Sequence, residues 1–258
     1  MATKACDFIW YELMTSDVAA ASDFYGRVVG WTMAETPAAG RAYTLACAGE
    51  RQVGGMMALP EEARKEGARP AWFGYVAVPD VDAAVEAVKQ AGGSVHRAAQ
   101  DIPGVGRFAV VADPQGAGFM LFRGEGAAPA PVAPGTPGHI GWHELHARDQ
   151  EDAFAFYGKL FGWTKGDAVD MGTMGAYQLF STGADPIGGM MSNAQAPHPF
   201  WLFYITVEDI DAAAARVTQA GGTIAHGPAQ VPGGSWIVMG NDPQGATFAL
   251  TGRSAAGQ

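Results

Sequence analysis

FIWYELMTSDVAAASDFYGRVVGWT, residues 8–32, returns 132 positions later as IGWHELHARDQEDAFAFYGKLFGWT, residues 140–164. The echo runs on beyond these stretches. Val53-Gly54-Gly55-Met56-Met57 is matched by Ile187-Gly188-Gly189-Met190-Met191, and Asp113-Pro114-Gln115-Gly116 by Asp242-Pro243-Gln244-Gly245. A repeat of this length is too long for a solenoid unit and predicts two homologous globular domains. Positions at which the copies differ then point to separate roles.

Within the opening stretch, Ile9 to Met14 reads as a strand by its aromatic and apolar content. Ser16 and Asp17 are good helix N-caps, and Ala21, Phe24, Tyr25 and Val28 follow at helical spacing. Gly30 stops that helix where a left-handed residue is wanted. The second copy repeats the pattern with Asp149, Ala153, Phe156, Tyr157, Leu160 and Gly162. Farther on, residues 73–78 and 202–207 read as strands. The first precedes a helix with an apolar stripe of Val81, Ala84, Val85 and Val88, and the second one with Ile210, Ala213, Ala214 and Val217. Strands around 108–111 and 119–122, joined by the Asp-Pro-Gln-Gly turn, close the first copy. The fold class is therefore α+β, with two βαβββ units per domain and four in the chain. The Pro/Ala/Gly-rich residues 124–138 form a linker between domain one (1–123) and domain two (139–253), and 254–258 are a tail.

Composition narrows the function classes. The 258 residues are 48% hydrophobic and 16% charged, which is globular rather than disordered. A formal net charge of -10 disfavours nucleic acid and anionic membrane surfaces as partners. No apolar run reaches the roughly 18 residues of a membrane span, and the opening MATKACDFIW does not read as a signal peptide. Cys6 and Cys47 occur in the first copy alone, so there is no disulfide framework, and a cytoplasmic location is expected. A chain with four units can be complete as a monomer, and a homodimer is equally compatible with it.

The strand–Asp–helix–Phe-Tyr–Gly-Trp stretches (Asp17, Phe24-Tyr25, Gly30-Trp31; Asp149, Phe156-Tyr157, Gly162-Trp163) and the Asp-Pro-Gln-Gly turns occur in the same order twice. In this the chain resembles the vicinal oxygen chelate superfamily, which includes glyoxalase I, extradiol dioxygenases and the bleomycin- and fosfomycin-resistance proteins. The resemblance implies two glyoxalase-like domains whose curved mixed sheets enclose clefts. It leaves open which βαβββ units pair. It also implies a divalent ion on His, Gln or Glu at three positions per domain. Here those positions carry Trp10, Phe73 and Met120, and Trp142, Leu202 and Ala249. None of these side chains supplies the oxygen or imidazole donors that such ions require. No cofactor is therefore expected.

Strand alternation suggests what takes the place of the ion. If Trp10 faces the cleft, so do Glu12 and Met14, and in the second copy Trp142, Glu144 and His146. Tyr75 joins Phe73, and Tyr204 joins Leu202. Trp10, Glu12, Met14, Phe73, Tyr75, Met120, Trp142, Glu144, His146 and Tyr204 are thus the candidate ligand-binding residues. Aromatic walls with a few convergent polar groups suit a small organic molecule. Each residue also has a plainer reading: the tryptophans and tyrosines as packing, and the glutamates as carboxylates satisfied locally or facing solvent. Glu12 and Glu144 are the candidate catalytic bases if the protein is an enzyme, a glyoxalase-like lyase or isomerase or a dioxygenase. Glu144 with His146 is the alternative, non-standard metal site. His139-Ile-Gly-Trp-His143-Glu144-Leu-His146 lacks the spacing of a helical zinc-protease motif. The glycine pairs 54–55 and 188–189 read as a strand bend or bulge, since no phosphate-loop signature follows them. The leading expectation is metal-independent binding of a small, aromatic ligand, for sequestration or detoxification.

Overall fold

The computed structural model describes residues 6–38, 41–126 and 130–254. Parts of the expected linker (127–129) and tail (255–258), and the first five residues of the chain, lie outside the described residues.

The first repeat runs β1 (Phe8–Thr15), α1 (Val18–Val29), β2 (Thr32–Ala38), β3 (Arg41–Ala48) and β4 (Arg51–Ala58) as one βαβββ module. A five-residue helix α2 (Glu61–Lys65), without a sequence signal strong enough to expect it, leads to the second module. That module comprises β5 (Ala71–Ala77), α3 (Val81–Gln90), β6 (Ser94–Ile102), β7 (Gly106–Ala112) and β8 (Gly118–Gly124). The second repeat supplies a third module, β9 (Ile140–Ala147), α4 (Gln150–Phe161), β10 (Thr164–Asp170), β11 (Ala176–Ser181) and β12 (Pro186–Ser192). The fourth is β13 (Phe200–Asp209), α5 (Ile210–Gln219), β14 (Thr223–Gln230), β15 (Trp236–Asn241) and β16 (Thr247–Arg253). Each repeat forms one eight-stranded mixed sheet, ordered β2-β3-β4-β1-β5-β8-β7-β6 and β10-β11-β12-β9-β13-β16-β15-β14. The leading strand of each module pairs in parallel with that module's last strand, as β1 with β4 and β9 with β12. The hairpins are antiparallel.

Local sequence explains the helices. Asp17, Asp80, Asp149 and Asp209 sit at the N-caps of α1, α3, α4 and α5 in extended conformation, each side chain accepting from a backbone N–H of the first turn. Gly30 and Gly162 terminate α1 and α4 with φ of 88° and 73°, which a side chain would resist. The expected stripes are buried with two exceptions. Ala84 is only partly covered, and in α4 Phe161 is buried in place of Leu160. Phe161, four residues after Tyr157 on the same face, packs edge-on against Phe119 at 5.7 Å.

Packing groups the modules differently from their order in the chain. Met1–Trp10, Phe73–Ala130 and His143–Leu202 form one compact unit, and Tyr11–Trp72, Pro131–Trp142 and Phe203–Gln258 the other. The first unit thus combines modules two and three, and the second combines modules one and four. In the first unit Tyr157 of α4 donates to Asp113 Oδ2 (3.1 Å) and accepts from Trp201 Nε1 (3.0 Å). Phe119 packs on Phe156 and Tyr157. In the second unit Tyr25 of α1 donates to Asp242 Oδ2 (3.2 Å) and accepts from Trp72 Nε1 (2.8 Å), while Phe24 meets Phe248. The Phe-Tyr dipeptide of one module and the Asp-Pro-Gln-Gly turn of another are therefore two halves of one lock. Burial raises the carboxyl pKa of Asp113 and Asp242 even though turn amides donate to both. The Gly-Trp tryptophans act as clamps: Trp163 Nε1 donates to Cys6 O (2.6 Å), and Trp31 Nε1 to Gly138 O (2.8 Å) at the end of the linker.

Candidate functional site

The candidate residues lie on β1 and β9 and on β5, β8 and β13. Glu12 is 5% exposed and Glu144 8%, both at the centre of their strands. In the second unit, Glu12 is in register with Gly55 and Met14 with Met57. Tyr43 of β3 lies across Gly55: a Cβ there would stand 1.9 Å from the phenol oxygen. In the first unit, Glu144 is in register with Gly189 and His146 with Met191. Tyr177 of β11 crosses Gly189 in the same way and donates to Glu144 Oε2 at 2.9 Å. The second glycine of each Gly-Gly-Met-Met motif is therefore the gap through which a tyrosine reaches the strand that carries the glutamate. The expected bulge is present beside the first glycine, where β3–β4 and β11–β12 shift register at Ala46/Cys47 and Phe180/Ser181.

Around Glu144 the first unit builds a longer polar array. His146, 4% exposed, places Nε2 at 2.7 Å from Glu144 Oε1. Its Nδ1 lies 2.9 Å from Asn193 Nδ2, and its ring stacks on Phe200 with centroids 4.6 Å apart and planes 8° from parallel. By contrast His143, the neighbour of Glu144, points into the core. It stacks on Phe8 at 4.6 Å and places Nδ1 2.8 Å from Ile187 O. Burial pulls its pKa down to about 4, so it is neutral at neutral pH.

The remaining candidates differ in burial. Phe73 is partly covered and lies over Gly118. Tyr75 is buried, edge-on to Phe122 at 5.8 Å and in register with the fully buried Met120. Tyr204, Leu202 and Ala249 are buried too, Tyr204 in register with Ala249. Trp10, Met14 and Trp142 are each partly exposed. The boundary between the units crosses β1 after Trp10 and β9 after Trp142, so each tryptophan belongs to the unit other than that of the glutamate two residues on. Two surface depressions, of about 450 and 420 Å³, lie in the second unit, and Glu12, Glu144 and His146 line neither.

The donor set does not fit the metal that the resemblance implies. At the six strand positions stand indole, phenyl, thioether, isobutyl and methyl groups. Among the described residues no three His, Cys, Asp or Glu side chains gather as a metal site. Glu144 with His146 supplies two donors, and both already contact protein groups. What the array can do is present a buried carboxylate, an imidazole and a phenol to an organic molecule.

Tyr43, Tyr177, Asn193 and Phe200 were not foreseen from sequence. The two tyrosines had a signal in the repeat itself, Ala42-Tyr43-Thr44-Leu45 against Ala176-Tyr177-Gln178-Leu179. Asn193 and Phe200 differ from their counterparts, and nothing local marks them.

Comparison with known proteins agrees with this architecture. A family model described as "Glyoxalase/Bleomycin resistance protein/Dioxygenase superfamily" matches residues 8–121 and again residues 137–250. The chain is 33% identical over 244 residues to "Putative glyoxylase CFP32" of Mycobacterium tuberculosis, covering 93% of this chain and 92% of that protein. It is 32% identical over 254 residues to anthracycline biosynthesis protein DnrV of Streptomyces peucetius, covering 93% and 91%. Among solved structures, the 2,3-dioxygenase LapB from Pseudomonas sp. KL28 superposes with a TM-score of 0.67 at 11% identity, covering 98% of this chain and 94% of that one. The Mn(II)-bound glyoxalase from Novosphingobium aromaticivorans gives 0.64 at 18% identity, covering 96% and 82%. At these identities the structural likeness concerns the fold.

Proposed function

The chain belongs to the glyoxalase/bleomycin resistance protein/dioxygenase superfamily, and on that premise we propose that it is a cytoplasmic, metal-independent binder of a small planar aromatic molecule, serving sequestration or detoxification. The observation that carries this reading is the buried glutamate on a strand face that begins with a tryptophan, with a tyrosine threaded to it across a glycine in the second repeat. Aromatic side chains with a few fixed polar anchors suit a flat organic ligand, whose rings stack on aromatics while a polar substituent meets the carboxylate. Relatives named for anthracycline biosynthesis add support, because anthracyclines are planar fused-ring molecules.

Titrating the protein with 2-naphthol, with and without EDTA, tests the reading. Tryptophan fluorescence should be quenched with the same midpoint in both, and Trp10→Ala and Trp142→Ala should each remove part of the response. A midpoint that EDTA abolishes and Mn(II) restores would overturn metal independence, and unchanged binding in both variants would overturn the assigned faces.

The contact between Glu144 and His146 favours one further reading, a metal-free lyase or isomerase in which Glu144 is the base. For that reading, Glu144→Gln must keep ligand affinity and lose turnover.

A further inference from the structure

Two differences between the repeats surround a third, a single side chain. Where the first repeat has Met14, Leu59 and Ala71, the second has His146, Asn193 and Phe200. The positions correspond in the fold as well: Leu59 N donates to Thr15 O at 2.8 Å, and Asn193 N to Ala147 O at 2.8 Å. An apolar set in one copy has become, in the other, a complete setting for an imidazole, with a stacking ring, a hydrogen-bonding amide and a carboxylate.

That setting determines the imidazole's tautomer. Asn193 Oδ1 accepts from Gln195 N and Ala196 N, both at 3.1 Å, so the amide orientation is set by the backbone. Its Nδ2 therefore faces His146 Nδ1 and donates to it. The nitrogen that accepts cannot carry the proton of the neutral ring, so the N–H is on Nε2. Nε2 lies 2.7 Å from Glu144 Oε1, yet it has no hydrogen-bond partner. The contact is close, but the N–H does not point along it. A buried donor without an acceptor is uncommon enough to call for a reason. Here it stands beside a carboxylate oxygen, which accepts more than one hydrogen bond.

A donor and an acceptor side by side are complementary to a group that accepts from one and donates to the other. An ammonium cannot accept from Nε2–H, and a carbonyl or ether cannot donate to Oε1. A hydroxyl does both. We propose that His146 and Glu144 together read a hydroxyl group, phenolic or enolic, on the ligand of the second repeat. This rests on the aromatic-ligand reading above. Phe200 and Asn193, alongside, are only partly covered, so the pair lies one side chain below the surface. Asn193 acts through the imidazole and is a positioning residue. In the first repeat Met14 offers no N–H beside Glu12, so the same discrimination is not built there.

Calorimetric titration of the full chain with 2-naphthol and with 2-methoxynaphthalene separates the possibilities. The wild type should hold the naphthol about tenfold or more tightly than its methyl ether, because the ether leaves a buried polar group unpaired. His146→Met installs the residue of the first repeat and should erase that preference by weakening the naphthol about tenfold relative to the ether. Asn193→Leu keeps the imidazole but frees its tautomer, and should weaken the same preference. A wild type that binds both probes equally overturns the proposal, as does a preference that survives both substitutions. If neither probe binds, the aromatic-ligand reading itself fails, an outcome distinct from binding without discrimination.

Discussion

Gly188 and Gly189 stand side by side in β12, yet a methyl group added to each would meet different obstacles. At Gly188 it would lie 2.1 Å from the carbonyl oxygen of His143, a backbone atom of the neighbouring strand that cannot yield. At Gly189 it would strike the ring of Tyr177 at 2.0 Å, a side chain that can swing away. Gly188→Ala should therefore destabilise the fold by about 1–3 kcal/mol or prevent folding. Gly189→Ala should leave a folded protein that has lost the hydrogen bond from Tyr177 to Glu144 and with it affinity for an aromatic ligand. Thermal unfolding and a binding titration on the two variants check both expectations. Equal loss of stability in both would show that the second glycine serves packing alone. The sequence marks the pair as unusual but does not say why, because the ring that needs the space is on another strand.

At the scale of elements, the Asp-Pro-Gln-Gly turns look interchangeable in sequence and are not so in the structure. Gln115 Oε1 accepts from Arg148 N and Asp149 N, and its Nε2 donates to Asp149 O, so the turn before β8 holds the segment that starts α4. Gln244, at the same place in the fourth module, leaves its buried Oε1 without a partner. Gln115→Ala should cost about 0.5–1.5 kcal/mol by removing the hydrogen bonds that hold the start of α4, and Gln244→Ala should stay within about 0.5 kcal/mol of the parent. Denaturant unfolding of the two variants decides it, and equal costs would sink the distinction. Helix starts and stops, by contrast, were legible residue by residue. N-caps, left-handed glycines and apolar stripes act within a single element, so the chain states them directly. Phe161 replacing Leu160 in the buried stripe shows the limit, since the ring it meets belongs to β8.

At the scale of the molecule, the repeats and the compact units are different divisions of one chain. Each repeat forms its own eight-stranded sheet, while each unit takes one module from each repeat. Expressed separately, residues 1–123 contain Tyr25 without Asp242, and Asp113 without Tyr157. Neither half should then give a cooperatively folded monomer, and mixing the halves should restore a 1:1 complex with sharp unfolding. Circular dichroism and sedimentation would show this, and two independently folded monomeric halves would refute it. The sequence alone determined four βαβββ modules, the family, and the apolar character of the positions where the resemblance implies metal ligands. Those properties follow from local periodicity, caps and an internal repeat, all of which are written along the chain. Only the tertiary structure decided which modules pack together, which tyrosine reaches Glu144, and that His146 is oriented by Asn193 and Phe200. These depend on side chains far apart in sequence meeting across strands, where the donor or ring that completes a group leaves no trace beside it in the chain.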